Sequence, residues 1–236
     1  MHGLRVRNQS GFVQIDNAYS NLVLRSKGSV TCSTLFNTNQ GPANIYQGTV
    51  TIAMSEGACI AIRSNLPCAV FKTTNGTGTR TFTFLTQGGA GVAEYFVFDS
   101  PDFAGAVGPV GLRVRRRDLS GYAFDSRKPY MRIMGTAVTT PGTAQSTDVS
   151  LPGGRLAWVP SQQGMRLDVH VLGVGPTADI AELYHMAFVS PISGGVRVSM
   201  TNIYARFWRY PMPNVNAPGP IDLQPSVHLV VDVQGI

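Results

Sequence analysis

Apolar and polar residues alternate in short runs along almost the whole chain. Leu4-Arg5-Val6-Arg7 and Leu22-Val23-Leu24-Arg25 begin the pattern, and 47–54 continues it with Val50, Ile52 and Met54 on one face. Runs at 59–63, 69–72, 80–85 and 94–99 follow, then 130–134, 156–159, 166–171, 185–189, 196–200, 202–210 and 227–233. Period-two alternation rich in β-branched and aromatic residues marks half-buried strands. The breaks carry turn chemistry, as in Asn75-Gly76-Thr77-Gly78 and Gly88-Gly89-Ala90-Gly91. The pattern predicts an all-β fold. Only 177–184 hints at a helical turn, with Thr177 as its cap and Glu182 in the window.

A phrase recurs on this background. Gly3-Leu4-Arg5-Val6-Arg7 returns letter for letter as Gly111-Leu112-Arg113-Val114-Arg115. Each copy runs on through Ser-Gly (Ser10-Gly11; Ser120-Gly121), an aromatic residue (Phe12; Tyr122) and an apolar-Asp pair (Ile15-Asp16; Phe124-Asp125). A Tyr (Tyr19; Tyr130), an alternating run and a Gly (Gly28; Gly135) complete the match. The run at 227–233 ends the second copy as 95–99 ends the first. A repeated start with a long unmatched body predicts two tandem β-sandwich-like domains related by internal duplication. Their expected bounds are 1–102 and 111–236, with a linker at 103–110. Each is long enough to bury a core of its own.

The matched residues read as fold-determining. Gly3, Gly11, Gly111 and Gly121 suit turns, and Asp16 and Asp125 suit hairpin closure by accepting backbone N–H bonds. Active sites in both copies would also require their partner residues to recur. The extra Arg116-Arg117-Asp118-Leu119 is expected to lengthen the first turn of the second copy.

Composition narrows the functional classes. The 236 residues are 43% hydrophobic but only 14% charged, against roughly 25% in typical soluble domains. So little charge suggests surface covered by partners. The net charge of +6 is carried mostly by single residues, which argues against specific nucleic-acid binding. The exception is Arg113, Arg115, Arg116 and Arg117, followed by Arg127, Lys128 and Arg132. Along a strand, Arg113, Arg115 and Arg117 share a face, ready to pair with Asp118, Asp125 or a neighbouring subunit. Three cysteines without CxxC or Cys/His spacing read as buried thiols of a protein made in a reducing cytosol. Without a leader pattern or an apolar run of about 18 residues, neither a cleaved signal nor membrane insertion is expected.

Catalytic patterns are weak. The four histidines are scattered, there is no Gly-x-Ser-x-Gly elbow, and the glycine-rich stretches lack the Gly-Lys-Ser/Thr of a phosphate loop. The reading is a non-enzyme without cofactor or metal. Tyr204, Phe207, Trp208 and Tyr210, interleaved with Arg206 and Arg209, suit core packing on one face and an interface on the other; stacking on bases or sugars is the alternative. The Pro/Asn/Gly-rich stretch 211–225 is about 15 residues long, unusual inside a compact domain unless it has a role. The interface candidates are therefore Arg113, Arg115, Arg116, Arg117, Tyr204, Arg206, Trp208, Arg209, Pro211, Asn214 and Pro218.

The repeated phrase, Gly-Leu-x-Val through Ser-Gly to Ile/Phe-Asp, with Phe124-Asp125-Ser126 in the second copy, resembles the opening of small virion proteins of tailed phages. Tyr95-Phe96-Val97-Phe98-Asp99-Ser100-Pro101 before a fresh Gly-Leu-x-Val start is similar to the same group. The resemblance covers the two copy starts and the strand ending each copy. It implies a structural protein of a siphophage tail tip or its fibres, made in the host cytoplasm, contacting other tail proteins. It also implies a homo-oligomer in a ring or trimer, the trimer preferred. The alternatives are a receptor- or glycan-binding fibre module that contacts the host surface, and a capsid decoration protein.

Overall fold

Strands form where the alternation predicts them in the computed structural model, which describes residues 5–7, 13–16, 21–36, 44–105, 108–117, 120–139, 146–152, 154–171, 178–210 and 221–236. In the first half these are β1 (Arg5–Arg7), β2 (Val13–Asp16), β3 (Val23–Cys32), β4 (Thr34–Leu35), β5 (Ile45–Ala53), β6 (Cys59–Ser64), β7 (Cys68–Gly76), β8 (Thr79–Gln87) and β9 (Gly91–Asp99). The second half holds β10 (Arg113–Arg115), β11 (Tyr122–Asp125), β12 (Arg132–Thr139), β13 (Ser146–Ser150), β14 (Leu156–Gln162), β15 (Met165–Val171) and β16 (Ala178–Ile192). It ends with β17 (Gly195–Tyr210), β18 (Ile221–Gln224) and β19 (Ser226–Asp232). The fold is all-β. The helical turn expected at 177–184 is not formed at 178–184, which begin β16. Their backbone pairs with β15 on one side and β17 on the other, and those ladders outweigh a local capping signal.

Two sheets face each other. One has the order β12-β19-β14-β6-β9-β3, the other β13-β17-β16-β7-β8-β5-β4, with β15 beside β16 and β18 beside β15. Each half supplies a matching set: β3-β9-β6 and β12-β19-β14 to one sheet, β5-β8-β7 and β13-β17-β16 to the other. The sets meet edge to edge. β6 pairs with β14 at one position, Ile62 opposite Trp158, and β7 with β16 at one position, Cys68 opposite Val189. All four residues lie in the apolar layer between the sheets, with Ile60, Phe82, Phe84, Val97, Val198 and Val230. Strands β3–β9 of the first half and β12–β19 of the second thus share both sheets and one core.

The six-stranded sheet is apolar on both faces. Ile60, Ile62, Val97, Trp158 and Val230 face the other sheet, while their neighbours Ala61, Phe96, Phe98, Ala157 and Val231 pack into a second cluster with Leu22, Leu24 and Met131. That sheet curls until its two edges touch: Val23 bridges to Tyr130, Leu24 N–H donates to Pro129 O at 2.8 Å, and Met131 N–H to Leu22 O at 2.9 Å. Closure hides edge backbone groups and encloses the second core. It also explains why strands such as Tyr95-Phe96-Val97-Phe98 are continuously apolar.

Register sharpens the sequence match. In both halves the ladder slips one residue after its second pair, between Leu24 and Ser26 in β3 and between Ile133 and Gly135 in β12. Gly135 therefore stands at the position of Ser26, not of Gly28. The repeated phrase forms two hairpins, β1–β2 and β10–β11, each with three pairs and a bulge at the same step, Val6/Arg7 and Val114/Arg115. Val13, not Phe12, occupies the position of Tyr122. Six residues, 116–121, separate β10 from β11, one more than the five, 8–12, that separate β1 from β2.

Candidate interface

The β10–β11 hairpin turns Val114 and Ala123 inward and leaves Arg113 and Arg115 exposed, as period two requires. Strand β10 ends at Arg115, so Arg117 lies in the turn and does not share the expected strand face. The two exposed arginines lie over the Tyr122 ring, their guanidinium carbons 5.4 and 5.8 Å from its centre. Their bonds to its hydroxyl, Arg113's the stronger, hold the Tyr122 phenol below its usual range.

Asp125 closes the hairpin. It is buried, accepts Arg127 N–H at 3.2 Å, and takes the Arg127 guanidinium through both oxygens at 2.7 and 2.5 Å. Arg113 stands 3.6 Å away on the other side. Hydrogen bonding from Arg127 holds the Asp125 carboxyl at about 2 against the opposing pull of burial. Asp125 N–H donates to the Tyr130 hydroxyl, whose phenol burial pushes up to about 12. Tyr130 stacks on Phe124 at 4.7 Å, nearly parallel. The recurring Asp, expected to bind backbone N–H groups, does so here and adds a two-pronged ion pair.

The segment entering the hairpin is fastened to it. Asp102 accepts Tyr122 N–H at 3.1 Å and pairs with Arg116 at 3.0 Å, while Arg116 also donates to Ser100 Oγ at 2.7 Å. A Cβ at Gly121 would collide with the Asp102 carboxylate and push it away from Tyr122 N–H and Arg116. Lys128 donates to Pro101 O and Ala104 O, pinning the 3-10 turn Pro101–Phe103. The end of the expected first domain, 100–102, therefore packs against the second copy's first hairpin, and of the expected linker Ala104 is held by Lys128. What remains outward is apolar and cationic: Val110 (87% exposed), Phe103 (55%) and Leu112 (54%), beside Arg115 and Arg117. Among the described residues neither Arg115 nor Arg117 has a carboxylate partner.

Other predicted residues lie apart from this end. Tyr204 packs on Tyr184 with ring centres 5.6 Å apart, in a small cluster on the outer face of the nine-stranded sheet. Arg206 and Phe207 are exposed on the part of β17 that, with β16, extends alongside β15 and β18. Trp208 and Arg209 lie in β17, but their side chains are outside what is described, as is that of Asp16 in β2. Pro211, Asn214, Pro218, Gly3 and Gly11 fall outside the described residues. Gly111 packs under Ser126 and Arg127.

Sequence reading missed a pair of strand-end clamps. Asp99, ending β9, accepts Ser55 Oγ at 2.5 Å, Ser55 N–H at 3.1 Å, Ser100 N–H at 2.8 Å and Arg25 at 2.7 Å. Burial alone would raise its carboxyl, but these bonds together hold it below its usual range. Asp232, ending β19, takes Arg132 at 3.1 Å and Gln234 N–H at 2.9 Å. The available signal was an acid closing a continuous apolar strand in each copy, which demands a cation nearby. Two buried polar groupings were also missed: Ser226 Oγ with His228 Nε2 at 2.6 Å, and Arg166 with Asp168 at 2.6 Å beside His185. Burial holds His228 down at about 4 and lowers His185. The cysteines are free thiols; burial pushes Cys32 and Cys59 up to about 11 and Cys68 higher still. Among the described residues no helix is long and apolar enough to cross a membrane.

No protein-family model, curated protein or solved structure matches the chain.

Proposed function

We propose that the chain is a structural protein of a bacteriophage tail, located at the tail tip, where it joins hub and fibre proteins through protein–protein contacts. The observation that carries the reading is the hairpin end: exposed Val110, Phe103 and Leu112, with exposed Arg115 and Arg117 that have no carboxylate partner among the described residues. Apolar residues edged by arginine characterise protein interfaces. The Gly-Leu-x-Val phrase and its resemblance to tail virion proteins support the same reading. So does the matched strand order of the halves, which we read as two copies of one scaffold domain fused side by side. Asp125, Asp99 and Asp232 each accept backbone N–H groups at a turn or strand end, which suits a scaffold. Self-assembly around the tail axis, with a trimer preferred, belongs to the proposal.

Fractionated particles provide the test. Purified tails, separated from heads, are expected to carry the chain in fixed stoichiometry. Its recovery only with heads would replace the reading by capsid decoration. One observation favours a second reading, a host-surface binding module: Phe207 is 55% exposed next to exposed Arg206. Binding of the full chain to host polysaccharide, abolished by Phe207→Ala, would establish that role.

A further inference from the structure

The seam between the halves leaves an open cleft at each end. Adjacent strands twist by roughly 20–25°, so strands paired at a single position diverge on both sides of it. One cleft, of about 380 Å³, lies between the start of β6, strands β7 and β8, and the end of β14. The other, of about 230 Å³, lies between the start of β14, the β16–β17 turn and the end of β6. The two exchange the roles of the halves, yet their chemistry differs. In the smaller, Arg63 and Arg155 share the Glu94 carboxylate, at 2.8 and 2.5 Å. In the larger, Arg80 spends its donors on the carbonyls of Ala58 (3.1 Å), Glu56 (2.5 Å) and Ser55 (3.4 Å). Among the described residues neither Arg80 nor the exposed Lys72 has a carboxylate partner. The walls are apolar: Phe71, Phe82, Val159 and Pro160.

We infer that the larger seam cleft receives a peptide segment of a partner protein that presents an aromatic side chain next to a carboxylate. The volume suits one ring and its flanks. Two uncompensated cations at an apolar wall select an acidic neighbour by charge complementarity. The backbone edges that β6 and β14 leave diverging favour an extended chain over a compact molecule. The inference rests on the proposed role in protein–protein contacts and names where one such contact is made.

The test titrates the full-length chain with acetyl-Gly-Asp-Phe-Asp-Gly-amide, following backbone amide NMR shifts. The charge-reversed acetyl-Gly-Lys-Phe-Lys-Gly-amide and 1-naphthalenesulfonate are the comparisons. The acidic peptide is expected to shift the amides of Lys72, Thr73 and Phe82, and the basic peptide is not. Lys72→Glu, at an exposed position, is expected to weaken binding about ten-fold without changing the melting temperature; Phe71→Ala is expected to weaken it by a similar factor with a small fall in melting temperature, because it also gives up the edge-on contact with the Phe36 ring at 4.8 Å. Equal binding of both peptides, shifts confined to the Arg113–Arg115 end, or indifference to Lys72→Glu would overturn the inference. Binding of naphthalenesulfonate alone would overturn it too, in favour of a small organic anion. None of these outcomes bears on particle location, so failure here is distinct from failure of the tail-tip reading.

Discussion

Trp158→Ala is the most informative single substitution. Trp158 is 1% exposed, lies between the sheets, and occupies the one position where β14 pairs with β6. An indole buries roughly 200 Å², worth about 5 kcal/mol at about 25 cal/mol per Å². Truncations of this kind cost about 3–5 kcal/mol once neighbours relax into the void. For a chain of this size each kcal/mol lowers the melting temperature by about 2–4 °C, so a fall of about 6–20 °C is expected. The form of the transition is the sharper readout. Ile62, Val97, Val230 and Cys68 share the damaged core across both halves, so far-UV circular dichroism and calorimetry should record one transition, displaced as a whole. A loss under about 1 kcal/mol would refute the packing argument. A melt that split in two, with one half keeping its original midpoint, would refute the shared core.

Further predictions concern titration, clamps and thiols. Asp125, held at about 2 against an ordinary 3.8, adds stability present above pH 4 and lost as pH falls toward 2; urea midpoints of Asp125→Asn should be lower at neutral pH and flatter between pH 4 and 2. His228 has the opposite history, being depressed from 6.5 to about 4. The unfolded chain takes up its proton first, so stability should fall by up to about 3 kcal/mol between pH 6.5 and 4, and His228→Gln should remove that slope. Asp99→Ala leaves Arg25 unpaired and frees Ser55, and should cost about 3–5 kcal/mol in chemical denaturation, whereas Arg132→Ala, at an exposed side chain, should cost about 1 kcal/mol or less. Native protein treated with a thiol reagent should leave Cys32 and Cys68 unmodified, and all three cysteines should react after denaturation.

The strands could be read from sequence because a half-buried strand writes its two faces into alternate residues. The continuous runs ending each copy, Phe96-Val97-Phe98 and Val230-Val231, carried a further signal: both their faces are buried, one against the opposite sheet and one inside the curl. Segment 178–184 misled because a Thr cap and a Glu are local features, whereas partners in β15 and β17 decide the conformation. The hairpin's closure was half legible. Arg113 was an expected partner of Asp125, but Arg127, which grips it more closely, stands two residues on and was read only as part of a basic run. The seam left no trace in the sequence. At the seam each sheet is joined across the halves by a single residue pair, and neither Ile62 opposite Trp158 nor Cys68 opposite Val189 belongs to any local pattern. The clefts follow from that seam and were invisible with it.

The proposed role is tested most directly by electron cryo-microscopy of intact particles at a resolution that separates strands. The account predicts two-sheet density at the tail tip, with the Val110, Leu112 and Arg115 end covered by a neighbouring protein. Density at the tail tip into which this sandwich cannot be fitted, or a fitted chain with that end open to solvent, would contradict it.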